Sequence, residues 1–342
     1  MNAGAGNADA VNAGALTVIE AGSTQVTDLG RRRGPRFGVP VNGALDQRSA
    51  RIANILVGNP ETAPVLEITA LDAEFVADID ILIAVSGADG HLTVDGVGRP
   101  TNQPVSVRAG EAIALRQIQG GLRSNLAVRG SFDVPQLLGS CAPDSVLGFG
   151  GRLLVGERIA LRTATAPVFN AHFTAELYDL DVPRLPTGFI VDVTDGPDLD
   201  DFAGTADRLF AQPYLVTPKS NHIGLRMTGP LPERRTQGEV LSRGVPVGAV
   251  EVPPGDELLV LHRGRGVTAG YPVLAVVTSG SLDVLAQVRP GQHLRFRRLS
   301  ASDAAARARA ELVELEALRL RVRSVFDALD ALSTATTGRT LL

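Results

Sequence analysis

Cysteine is nearly missing from this chain: 342 residues contain one, Cys141, and no tryptophan. A lone thiol excludes an intrachain disulfide and any cysteine-based zinc site. Lysine is as scarce. Of the 33 basic residues only Lys219 is not arginine, and no G-x-x-x-x-G-K-[ST] run occurs, so a phosphate-binding loop of that type is excluded. The longest aliphatic run, residues 81–85, is far below the ~20 apolar residues that span a bilayer. Residues 1–15 are rich in Asn, Ala and Gly, with no basic start and no apolar stretch. They are expected to form a disordered tail rather than a signal peptide, which makes the protein soluble and cytoplasmic by expectation. Basic and acidic residues nearly balance at a net charge of −4, which argues against a nucleic-acid binder. The five histidines, at 91, 172, 222, 262 and 293, are scattered, so no metal site is expected. There is no G-x-S-x-G or H-E-x-x-H motif. Gly148-Phe149-Gly150-Gly151 lacks the third glycine of a dinucleotide loop and reads as a turn.

Hydrophobic residues, at 44%, are plentiful enough for a large core, while 37 Gly and 21 Pro with 4% aromatics favour short strands and turns. Residues 45–57 read as a helix: Asp46 can cap it, Ile52, Ile55 and Leu56 share a face, and Gly58-Asn59-Pro60 ends it. From 65 to 162, eight short strands are expected at 66–69, 74–76, 81–85, 91–94, 105–107, 112–115, 125–128 and 158–161. Turns at residues 87–90, 95–96, 108–110 and 120–121 separate them. A polar, proline-bearing stretch at 166–186 reads as a linker between a β-rich domain (16–165) and a second one (187–300). Residues 301–332 hold neither Gly nor Pro. Leu315, Leu318, Val322, Val325, Leu329 and Leu332 repeat at 3-4-3-4-3, a heptad seam. The seam can pair with another copy or pack on its own domain; the regular spacing favours a homodimer through this helix. Residues 333–342 read as a tail.

Four constellations carry the chemistry. The first runs through Asp28, Gly30, Arg31, Asn42, Gly43, Asp46 and on to Glu67. The second is Ser220-Asn221-His222-Ile223-Gly224. The third extends from Leu241 through Gly248 and Glu251 to Gly255. The fourth holds Arg263, Arg265, Thr268, Gly270, Tyr271 and Pro272. Together these ordered motifs resemble the allophanate hydrolase subunit 2 family, from about Leu16 to Arg297. That family is the larger half of the split biotin-dependent carboxyltransferase of urea carboxylase and of bacterial 5-oxoprolinase, where it forms the C subunit. It also includes the sporulation regulator KipA.

The resemblance implies a mainly β fold of two joined barrel-like domains, the later one cyclophilin-like, with few short helices before the long C-terminal one. It implies a smaller partner, an allophanate hydrolase subunit 1-like protein (the B subunit of 5-oxoprolinase). It also implies carboxylated biotin as cofactor, delivered on a separate carrier because no carrier motif is encoded here. Asn221 matches the family asparagine and is expected to be catalytic, hydrogen-bonding the acceptor carbonyl. Asp28, Arg31, Asn42, Asp46, Glu251, Arg265, Thr268 and Gly270 are expected to shape the substrate or biotin pocket, with the general base supplied by the partner. The sequence departs from the pattern at His222 (arginine in the motif), Glu251 (often glutamine), Asn42 (often serine), and Gly264 and Gly266 (Asp and Gln). Two readings stay open: a carboxyltransferase subunit acting on a lactam or urea-type amide, and a KipA-type regulator that binds a small protein without catalysis.

Overall fold

The structure, a computed structural model, describes residues 14–162, 182, 188–236, 238 and 240–337. The expected tail before residue 14, most of the linker at 166–186, and residues 338–342 lie outside the described residues.

The chain opens with β1 (Ala15–Glu20) and β2 (Thr24–Thr27), a loop with one 3-10 turn, and α1 (Gln47–Leu56). Then come β3 (Val65–Thr69), β4 (Ala73–Ala77), β5 (Ile81–Val94), β6 (Val97–Arg99), β7 (Val105–Val107), β8 (Ala112–Val128) and β9 (Arg158–Ala160). All nine strands join one sheet, in the order β2-β3-β8-β4-β1-β9, with β5 also on β8 and bordered by β6 and β7. Four of the expected strands merge into two. Residues 81–94 form one strand and 112–128 another, paired antiparallel along their length. The expected turns at 87–90 and 120–121 are bulges within these strands. Gly87 sits at φ 123° and Gly120 at φ 71°, and the register shifts on either side of Asp89. A bulge adds an unpaired residue and sharpens local twist, so the long pair bends and the sheet wraps around Leu16, Phe75, Ile83, Leu126 and Phe132.

The second half contains β10 (Ile190–Asp195), the short α2 (Arg208–Ala211), β11 (Tyr214–Val216) and β12 (Gly224–Thr228). It continues with β13 (Arg243–Gly244), β14 (Ala249–Glu251), β15 (Leu258–Leu261), β16 (Thr268–Ala269), β17 (Val273–Val277), α3 (Ser279–Leu285) and β18 (His293–Arg298). Seven of these strands close a barrel, β10-β17-β14-β15-β12-β11-β18, and β13 pairs β16 as a separate ribbon. Tyr214 and Phe296 meet edge-on inside it, centroids 5.5 Å apart.

The last element, α4 (Ala301–Thr337), runs five residues past its expected end. Ser300 caps it, accepting from the Asp303 N–H at 3.1 Å. Of the two destinations expected for its seam, the chain itself supplies one. Leu315, Leu318, Val322 and Phe326 are buried within the chain, in one cluster with Ile52, Ile55 and Leu56 of α1. The buried spacing is 3-4-4, with Phe326 in and Val325 only half-buried. That drift follows the 3.6-residue period of a helix docked on a globule rather than a strict 3.5-residue seam. Leu329 and Leu332 lie outside the described side chains. Neither α4 nor any other described helix is long and apolar enough to cross a membrane.

Candidate functional site at the junction of the two sheets

The loop before α1 is held from behind by side chains that were expected to line a pocket. Asp28 is buried and accepts from Gly30 N–H (2.8 Å), Ser140 Oγ (2.6 Å) and Cys141 N–H (2.9 Å). Arg31, 1% exposed, donates to the Leu137 and Ala142 carbonyls, lies 3.7 Å from Asp144, and stacks over Phe149. These contacts tie residues 137–149 to the loop. Asp46 caps α1, accepting from Ser49 N–H (2.9 Å) and Ser49 Oγ (2.6 Å). Each of the three side chains braces the frame through these contacts, and Asp28 and Arg31 also line a surface cavity with Gly30, Arg36 and Phe37.

Asn42 sits where the two sheets meet. Its φ of 51° is a left-handed conformation that asparagine tolerates better than most residues. Its N–H donates to the Arg263 carbonyl (3.0 Å) and its Nδ2 to Asp144 Oδ2 (2.8 Å). From the barrel side, the loop after β15 and the β11–β12 hairpin approach the same place. Gly264 N–H donates to the His222 carbonyl (3.1 Å), and His262 N–H to the Ile223 carbonyl (2.7 Å). A Cβ at Gly264 would run into His222 Cδ2, so the glycine makes room for the imidazole. Thus the first, second and fourth constellations converge, through main-chain contacts their spacing did not reveal.

Buried charge lines the junction. Glu67 accepts from Leu45 N–H at 2.8 Å and lies 3.5 Å from Arg123 Nε. Burial raises its pKa despite Arg123 and that N–H. Burial likewise lowers the Arg123 pKa. Asp283 accepts from Gln47 N–H (2.8 Å) and pairs with Arg263 (3.4 Å). Burial foremost, and its neighbours Asp46 and Glu311, push it up to about 7. Gln287 stitches the sheets together. Its Oε1 accepts from Leu122 and Arg123 N–H (2.8 Å each), and its Nε2 donates to Asp46 (2.5 Å) and the Arg123 carbonyl (2.9 Å).

Two histidines belong to this region and differ in kind. His262 is fully buried. Its Nδ1 accepts from Arg263 N–H at 2.9 Å, which fixes the proton on Nε2. Burial, Arg263 and Arg123 hold its pKa well below the ordinary 6.5; it is a structural imidazole. His222 is exposed at the rim. Burial of part of the ring, Arg123 and Arg152 lower its pKa, while Asp144 opposes them. Arg152, also exposed, forms no ion pair or side-chain hydrogen bond among the described residues. Sequence reasoning missed Arg123, Asp144 and Arg152 altogether and noted His222 only as a departure.

Asn221, expected to be catalytic, is exposed next to His222. Its Oδ1 accepts from Ile223 N–H at 2.8 Å, an Asx turn that shapes the hairpin and leaves Nδ2 for another partner. The remaining expected residues gather elsewhere, around the β13–β16 ribbon. Arg265 donates to the Val245 carbonyl at 3.0 Å, Thr268 is exposed on β16, and Gly270 approaches the Val240 carbonyl. Glu251 on β14 is fully buried with neither oxygen hydrogen-bonded among the described residues. Burial raises its pKa to about 7 against the pull of Arg243. No group of three or more metal-ligating side chains occurs among the described residues.

A sequence profile described as carboxyltransferase domain, subdomain A and B, matches residues 37–298. The chain belongs to this carboxyltransferase-domain family. It is 34% identical over 295 residues to the 5-oxoprolinase C subunit of Escherichia coli (strain K12), covering 84% of this chain and 93% of that protein. It is 30% identical over 288 residues to urea amidolyase of Saccharomyces cerevisiae, covering 78% of this chain but 15% of that much longer protein. The crystal structure of the Kluyveromyces lactis urea carboxylase superposes with a TM-score of 0.77 at 27% identity, covering 89% of this chain and 29% of that one. Another solved chain, 34% identical with a TM-score of 0.74 over 83% of this chain, is also longer, and this chain spans 55% of it.

In this carboxyltransferase domain the family match takes in Asn42, His222, Arg263 and the whole barrel, and ends before α4. The helix that clamps α1 is thus outside the matched region, whereas the junction it braces is inside.

Proposed function

We propose that the chain is the carboxyltransferase component of a biotin-dependent, 5-oxoprolinase-like or urea carboxylase-like complex. In this reading a carboxyl group arrives on biotin carried by a separate protein and passes to the nitrogen of a lactam or urea-type amide. A small subunit of the allophanate hydrolase subunit 1 type completes the site. The observation that carries this reading is the exposed imidazole of His222, whose pKa partial burial, Arg123 and Arg152 hold below the ordinary 6.5, beside an Arg152 guanidinium that makes no ion pair among the described residues. Carboxyl transfer to an N–H needs both: a cation to hold an anionic carboxyl group and an uncharged base to take a proton. Carboxylated biotin fits this pair, with Arg152 as the residue that would hold the carboxyl group and Arg123 adding to the field behind it. Biotin supplies the activated carboxyl group; the chain orients it and manages charge. Asn42 and Asp144 hold the main chain on which these groups stand. No observation favours the regulator over the enzyme.

The test is reconstitution. The chain combined with its small partner, biotin carboxylase and biotin-loaded carrier is expected to consume 5-oxoproline or urea in an ATP-dependent way. The chain alone is expected to consume neither. Robust turnover by the isolated chain, or none by the full complex, overturns the proposal.

A further inference from the structure

The general base need not come from another chain. We propose that His222 is the proton carrier of the transfer. Its imidazole accepts the proton of the acceptor's N–H as that nitrogen attacks the carboxyl carbon, and returns the proton to the donor's ring nitrogen as the old C–N bond breaks. One C–N bond forms and one breaks, and the proton removed from one nitrogen ends on the other. No oxidant or further reactant is needed. The inference rests on the carboxyltransferase reading and names a group that performs its proton step.

Three observations place His222 in this role. The first is position. It lies at the rim of the junction, on the hairpin between β11 and β12, and its main-chain carbonyl is clasped by Gly264 N–H, one residue from the Arg263 carbonyl that holds Asn42. The second is freedom. The ring is exposed, and neither of its nitrogens hydrogen-bonds to a described residue. By contrast the Nδ1 of His262 is tied to Arg263. The ring also packs against a glycine that leaves it space. The third is its charged surroundings. Arg123 on β8, and Arg152 and Asp144 from the segment after β8, act on its charge, and neutral His262 stands just after β15. Partial burial first, and then Arg123 and Arg152 against Asp144, favour the uncharged ring, the form that can take a proton, and the exposed Arg152 attracts the carboxyl group to be transferred.

The sign follows from that burial and those neighbours. With a pKa below 6.5, His222 is a competent base at neutral pH. It becomes protonated, and the reaction stops, as pH falls through that lowered pKa. Removing Asp144 takes away the one group that raises the pKa, so Asp144→Asn lowers it further; Arg152→Ala moves it up.

Two measurements test the proposal. In the reconstituted complex, His222→Gln is expected to lower kcat by about 10²-fold or more and to abolish the acid limb of the pH profile, with the melting temperature unchanged. In the chain bound to its small partner, ring resonances of His222 followed by NMR are expected to titrate below 6.5 and to shift on addition of 5-oxoproline or urea. A His222→Gln complex with wild-type kcat and an unaltered acid limb overturns the assignment. So does a His222 ring whose resonances ignore both compounds. If the wild-type complex is silent, the proposed function fails by itself, and the assignment is then decided by the NMR titration.

Discussion

At the scale of single residues, the site separates groups that build from groups that are left free. Asn221 does both. Its Oδ1 is engaged by Ile223 N–H, and its Nδ2 makes no hydrogen bond among the described residues. Asn221→Asp keeps the acceptor and removes the donor. It is expected to fold with an unchanged melting temperature while complex turnover falls about 10²-fold, the usual effect of losing one oxyanion donor. Wild-type turnover in that variant would assign the residue to the turn alone. Glu251 offers a second test. Its folded pKa, about 7, is raised above the ordinary 4.5. Whatever stability its carboxyl group lends is therefore complete below 4.5 and declines as pH rises to about 7, because only the unfolded chain releases the proton in that window. Glu251→Gln removes the titration. Its melting temperature is expected to exceed wild type near pH 8, by at most about 3 kcal/mol of stability, and to match it near pH 4. Equal melting curves at both values would show that Glu251 is not confined in the folded chain.

At the scale of elements, α4 makes the sharpest case. Leu318 is 1% exposed within the α1–α4 cluster. Leu318→Ala is expected to cost about 2–4 kcal/mol, from lost burial and the cavity left behind. Arg48 adds contacts with Glu311 (3.1 Å) and Glu314 (3.3 Å) on the same helix. Light scattering on an Arg48→Ala chain should give the same oligomeric state as the wild-type chain, because the described part of the seam is already covered within one molecule. The sequence announced this helix through its composition and capping serine, but not its destination: an apolar stripe specifies that it must be covered, and not by what. The strands behaved similarly. Alternating apolar residues marked nearly every strand, yet Gly87, Gly90 and Gly120 read as turns. Glycine serves turns and bulges alike, and only the partner strand decides between them. The site was legible where a loop carried unusual residues, as at Asn42 and at Ser220-Asn221-His222. It was illegible where Arg123 stands in the middle of a strand, or where Arg152 and Asp144 lie on ordinary loops. Their role arises only when two distant parts of the chain meet.

At the scale of the whole molecule, the sheet and the barrel are joined by buried polar contacts. Gln287→Ala would leave Asp46 and the Leu122 and Arg123 N–H groups without their partner, a loss of about 2–4 kcal/mol. Calorimetry on that variant is expected to resolve two unfolding transitions where the wild-type chain shows one. A single unshifted transition would mean that the remaining contacts, Arg263–Asp283 among them, suffice. The buried thiol gives a way to time a local opening without altering the protein. Cys141 is 5% exposed and its N–H is tied to Asp28. Burial raises its pKa, and the Asp28 carboxylate adds to the shift. A disulfide reagent can therefore modify it only when residues 137–149 come away. Because the chain has no second thiol, the rate of that modification is a clock. Slow, reagent-independent kinetics would time the opening step, and kinetics proportional to reagent would give the fraction of molecules open at equilibrium.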